Sequence, residues 1–130
     1  GTEKAGDRFR EAINTYELVL KDVDVPAFLK LQVETKLAET LRKISENDRA
    51  LVHLSNVVYD YTGHQKVLPP GSALWFTRAA FIAAEIFESR KMWTDAIHIY
   101  ERVVSAGVDT AGEAKARIKR IKKERWNSPS

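Results

Sequence analysis

Three histidines, His53, His64 and His98, are the side chains of this 130-residue chain best suited to move protons or hold a metal near neutral pH. No two of them stand four residues apart, and no His-Glu-x-x-His run is present, so the zinc-hydrolase arrangement is missing. The chain has no cysteine, which excludes disulfides, thiolate metal sites and cysteine nucleophiles. Neither of the common Gly-rich phosphate cradles occurs, nor does an acidic calcium loop. His53 and His98 fall at outward positions of helices and are expected on a solvated surface, while His64 lies in a loop. Asp22 and Asp24 precede Pro26 and are read as turn formers, not cation ligands. No catalytic residue, metal or cofactor is assigned, and the expectation is a protein that is not an enzyme.

Charge is the second feature with chemical content. The chain carries 21 basic and 18 acidic residues, a net of +3 that is too small overall to demand a polyanionic partner. Residues 113–126 hold Lys115, Arg117, Lys119, Arg120, Lys122, Lys123 and Arg125 against Glu113 and Glu124, a net of +5 that leaves −2 elsewhere. Two readings follow. In the favoured one this is a solvated cap helix at the end of a stack. In the alternative it binds nucleic acid or an acidic surface, with Trp126 as an aromatic platform.

The elements that position these residues are all helical. Apolar residues at Phe9, Ala12, Ile13, Tyr16, Val19 and Leu20 recur with the period of one helical face, with Asp7 as the expected N-cap of a helix ending near Lys21. Further helices are expected over about 27–44, 48–61, 73–89, 92–106 and 110–126, with an extended Pro/Gly loop at 62–71 and Ser72 capping the fourth. The most apolar stretch, 74–87, holds 11 apolar residues in 14 and is interrupted by Arg78 and Glu85. It is too short to span a bilayer and reads as a buried helix. The N-terminal residues 1–10 are charged and lack a signal-peptide core, and no segment alternates with the period of a strand. With 44% hydrophobic and 30% charged residues, one domain over 1–126 with a tail at 127–130 is expected.

Three helices share an internal pattern. Ala12, Tyr16 and Val19 align with Ala50, Leu54 and Val57 and with Ala96, Tyr100 and Val103. Ala38 and Ala84 each stand 12 residues before the alanine that follows them, so the repeating unit is a helical hairpin. The aromatic-x-x-Ala-Ile-x-x-Tyr runs of Phe9 to Tyr16 and of Trp93 to Tyr100, with Leu37-Ala38 and Ala83-Ala84, resemble the tetratricopeptide repeat family. The intervals from Ala12 to Ala50 and from Ala50 to Ala96 are 38 and 46 residues, longer than the family period of about 34. The middle repeat departs from the pattern, with Asn47 in place of the aromatic and Glu34 where a large aromatic commonly sits. In family order the chain starts with the second helix of one hairpin and ends with an unpaired first helix, which suggests a fragment of a longer protein. Ile118 stands where Ala38 and Ala84 stand earlier, as befits a terminal cap.

The resemblance implies a right-handed stack of antiparallel hairpins whose first helices line a concave groove. Transferred residue by residue, the groove positions are Gln32, Thr35, Glu39 and Arg42, then Arg78, Phe81, Glu85 and Glu88, then Lys115, Lys119 and Lys122. Thr35 and Glu39 occupy places where carboxylate-gripping members of the family use Lys and Asn, which argues against that ligand class. The expected function is a protein-binding scaffold that docks a peptide or partner protein through Arg78, Phe81, Glu85, Glu39, Arg42, Lys115 and Lys119. Phe81 would be its apolar anchor unless the long loop or a chain neighbour covers it. The uncovered repeat ends also offer a surface for self-association. The Ala-Ile-x-x-Tyr and Ala114-Lys-Ala-Arg-Ile-x-x-Ile patterns resemble repeats of the bacterial cell envelope, which leans the localisation toward the periplasm.

Overall fold

A computed structural model describes residues 2–60, 68 and 70–127, with side chains described within those spans from residue 6 to residue 125. The architecture is all-α. Among the described residues six α-helices follow one another as α1 (Thr2–Lys21), α2 (Ala27–Lys43), α3 (Asn47–Ser55), α4 (Ala73–Ser89), α5 (Trp93–Ala106) and α6 (Ala111–Asn127). Each packs against its neighbours in sequence, and α2 also touches α4. The expected loop at 62–71, with His64, falls largely outside the described residues, and so do residues 128–130 and the side chain of Trp126.

Two boundaries differ from the sequence reading for local reasons. Helix α1 starts at Thr2 and not after an Asp7 cap, because Glu3, Lys4 and Ala5 are good helix formers and nothing before Asp7 breaks the helix. Helix α3 gives way to a π-helical turn, Asn56–Asp60, whose extra residue lets the adjacent Val57 and Val58 both enter the core.

The two hairpin turns are built alike. After α2, the Ser45 and Glu46 amides donate to the Arg42 and Leu41 carbonyls at 3.0 and 2.9 Å. After α4, the Lys91 and Met92 amides donate to the Glu88 and Phe87 carbonyls at 2.9 and 2.8 Å. Both are Schellman caps whose left-handed residue is not glycine: Ser45 has φ 63° and Lys91 φ 57°. Gly107, at φ 67°, stops α5 as its position in the sequence suggests. Between α1 and α2, Asp22 Oδ1 accepts from the Asp24 amide at 2.9 Å, which is turn chemistry.

The repeated pattern becomes repeated packing. Ala50, Leu54 and Val57 are fully buried, and so are Ala96, Tyr100 and Val103. Ala12, Tyr16 and Val19 are only partly buried, because α1 packs chiefly against α2 whereas α3 and α5 each lie between two helices. Ala79, Ala80, Ala83 and Ala84 on α4 are all fully buried, and their small side chains let its neighbours approach closely. Ile118, at the equivalent place in α6, is partly exposed.

Glu34 is the polar residue at odds with this core. Its side chain is 5% exposed, and its Oε2 lies 3.3 Å from both His53 Nδ1 and Asn56 Nδ2. His53 is therefore not the outward, solvated residue expected of it, since the carboxylate on α2 draws it into the α2–α3 interface. His98 is exposed as expected.

Candidate functional site

Side chains on one face of α2, α4 and α6 form a continuous band of guanidinium and carboxylate groups. At one end Arg78 Nη2 donates to both carboxylate oxygens of Glu39 at 2.6 Å. The same guanidinium lies 4.9 Å from the centre of the Trp75 ring, with Lys36 Nζ 5.7 Å from that ring. Stacking and a shared carboxylate together fix Arg78 in a way one exposed ion pair would not.

Glu85 sits at the centre. Its carboxylate is 3.6 Å from Arg42 on α2 and 3.4 Å from Arg117 on α6, so one side chain links three helices. Arg117 is the most heavily used of these groups. Its Nε donates to Glu113 at 3.0 Å, its Nη1 donates to the Tyr100 hydroxyl at 3.1 Å, and its guanidinium lies 4.8 Å from the Phe81 ring centre. Tyr100 in turn donates to Glu88 at 2.7 Å, and Glu88 accepts from Arg120. Burial, and then the bond to Glu88, pushes the Tyr100 phenol up to about 12. The Tyr100 bond, followed by that to Glu113, holds Arg117 more firmly protonated than a free arginine despite its partial burial. Between α4 and α6 these groups border an open cleft of about 480 Å³ lined by Glu85, Glu88, Glu113, Ala116, Arg117 and Arg120.

Five of the seven residues expected from the sequence, Glu39, Arg42, Arg78, Phe81 and Glu85, come together on this face. Phe81 is not a bare anchor. It is partly buried, meets Tyr100 edge to face at 5.6 Å and is covered by Arg117, so the chain neighbour that shields it comes from α6. Thr35 leaves the groove altogether: it is fully buried and its hydroxyl donates to the Leu31 carbonyl at 2.7 Å.

Lys115 and Lys119 are displaced from their expected positions. Helical residues advance about 100° each, so both lie roughly 160° around α6 from Arg117, which lines the cleft. Both are exposed, and neither is among the ion pairs of the described residues. The α6 residues that line the cleft are Glu113, Ala116, Arg117 and Arg120. A signal for Arg117 was present in the sequence. It stands three residues after Ala114 and four before Ile121, the two side chains buried among the described residues of α6, and so shares their face.

Among the described residues no group of three His, Asp or Glu side chains converges to hold a metal, and no helix is long and apolar enough to cross a membrane. No family model, curated protein or solved structure matches the chain.

Proposed function

We propose that the protein is a non-enzymatic, tetratricopeptide-like scaffold that docks a partner protein or peptide on the α2–α4–α6 face. The observation that carries this reading is the alternation of charge across three helices: Glu39 with Arg78, Arg42 with Glu85, Glu85 with Arg117 and Glu88 with Arg120. Solvent-exposed pairs of this kind contribute only about 0–1 kcal/mol each, so a partner bearing its own acids and bases can exchange with them at small cost. The order of charges along the face then sets which partner fits and in which register. Apolar contact comes from the open edge of Phe81 and from Trp75, which is also partly buried.

The experiment is a titration of the partner recovered on the tagged protein, comparing wild type with Arg78→Glu and with the Arg42→Glu, Glu85→Arg swap. Arg78→Glu faces Glu39 with a like charge and should weaken binding at least tenfold. The swap keeps the Arg42–Glu85 pair but reverses its direction, so it should weaken binding while leaving the thermal midpoint nearly unchanged. Undiminished affinity in both variants would remove the partner from this face.

A further inference from the structure

The cations of α6 are sorted by type and by side. Arg117 and Arg120, on the groove side, are engaged with Glu85, Glu113, Glu88 and Tyr100. Lys115, Lys119, Lys122 and Lys123 are all exposed, and none is among the ion pairs of the described residues. Taking about 100° per residue, the four lysines occupy one arc of the helix opposite Arg117, while Glu113 and Glu124 fall within roughly 40° of Arg117. The outward arc therefore carries four positive charges and no carboxylate. Of the residues whose exposure is described, Gly112 alone joins the lysines on that arc.

We propose that this outward arc of α6 is a sequence-independent contact for the phosphate backbone of nucleic acid, separate from the protein-docking groove. Successive lysines rise by about 6 Å along the axis from Lys115 to Lys119 and by about 4.5–6 Å from there to Lys122 and Lys123. Unopposed ammonium groups with no carboxylate among them suit a partner of uniform negative charge, and a nucleic-acid strand presents one phosphate per about 3.4 Å of its axis. A protein surface intersperses both signs of charge, and this arc offers no carboxylate to the cations of such a partner. An anionic membrane would be better met by an amphipathic helix, but the apolar residues Ala114 and Ile121 are buried and Ile118 is packed against the core.

The test is fluorescence anisotropy with a labelled 20-base-pair mixed-sequence DNA duplex across a salt series. Four phosphate contacts give a slope of log affinity against log salt near −3.6, or roughly a hundred-fold loss between 50 and 200 mM. Replacing Lys115, Lys119, Lys122 and Lys123 with Gln should abolish binding without shifting the melt. Replacing Arg8, Arg10, Lys21 and Lys30 with Gln makes the same change in net charge off this arc and should retain it. No binding at 25 mM salt would overturn the proposal, as would equal loss in both quadruple variants. So would tighter binding to vesicles of phosphatidylserine and phosphatidylcholine, or equal competition by polyglutamate of matched charge.

Discussion

The Arg117 guanidinium lies 4.8 Å from the centre of the Phe81 ring while its Nη1 donates to the Tyr100 hydroxyl at 3.1 Å. One side chain of α6 thus closes over an aromatic of α4 and reaches a buried phenol of α5. Arg117→Ala should destabilise the fold by about 1–2 kcal/mol, since it removes a charge-assisted bond and a cation–π contact. Arg117→Lys should recover little of this, because a single ammonium cannot serve Tyr100, Glu113 and Glu85 at once. Urea titrations of the two variants check it, and a lysine variant as stable as wild type would show that charge alone matters.

Equivalent alanines should differ in their tolerance of bulk. Ala96 is fully buried between helices, so Ala96→Leu should overpack and cost about 1–3 kcal/mol. Ala84→Leu should behave in the same way. Ala12 holds the same repeat position but is partly exposed, and Ala12→Leu should change stability by less than about 1 kcal/mol. Thermal melts of the three variants compare them directly, and an equal penalty at Ala12 and Ala96 would contradict the looser packing of α1.

Lys91 pays the steric cost of a left-handed backbone at the α4–α5 turn, with φ 57°. Glycine adopts this conformation freely and the position is outside the helix, so Lys91→Gly should stabilise the protein by about 1 kcal/mol. Ser45→Gly at the α2–α3 turn should do likewise. Gly107→Ala, at φ 67°, should act in the opposite direction by a similar amount. Chemical denaturation of the three variants gives the signs.

The Tyr100 phenol titrates at about 12 in the folded chain, against 10.0 for an unperturbed tyrosine. Folded molecules therefore hold this proton at a pH where unfolded ones have lost it. The contribution is fully present below pH 10 and is lost as pH rises from about 10 through 12. Tyr100→Phe should accordingly be less stable than wild type at pH 8, with the difference shrinking by pH 11.5. A gap that stayed constant across melts at the two values would show that the phenol proton is not held this way.

Much of the fold could be read from spacing, because small residues at fixed intervals report close helix approach: Ala38, Ala50, Ala84 and Ala96 are all fully buried. Gly107 and the α1–α2 turn were equally legible, each resting on local backbone chemistry. The π-helical turn after Ser55 was not, since it depends on how Val57 and Val58 meet the rest of the core and leaves no local breaker in the sequence. Family alignment placed Glu39, Arg42, Arg78, Phe81 and Glu85 on one face, but it put Lys115 and Lys119 in the groove. In α6 basic residues surround the helix, so residue type could not distinguish its sides, and only the phase set by Ala114 and Ile121 points to Arg117. His53 was misjudged because its partner, Glu34, lies 19 residues away on another helix.

The groove itself is tested most directly by amide and side-chain NMR shifts of the labelled protein as the recovered partner is added. Shifts are expected to cluster at Glu39, Arg42, Trp75, Arg78, Phe81, Glu85 and Arg117, and to be lost in the Arg78→Glu variant. Shifts confined to the outer faces of α1, α3 and α5, with these residues unmoved, would contradict docking on the α2–α4–α6 face.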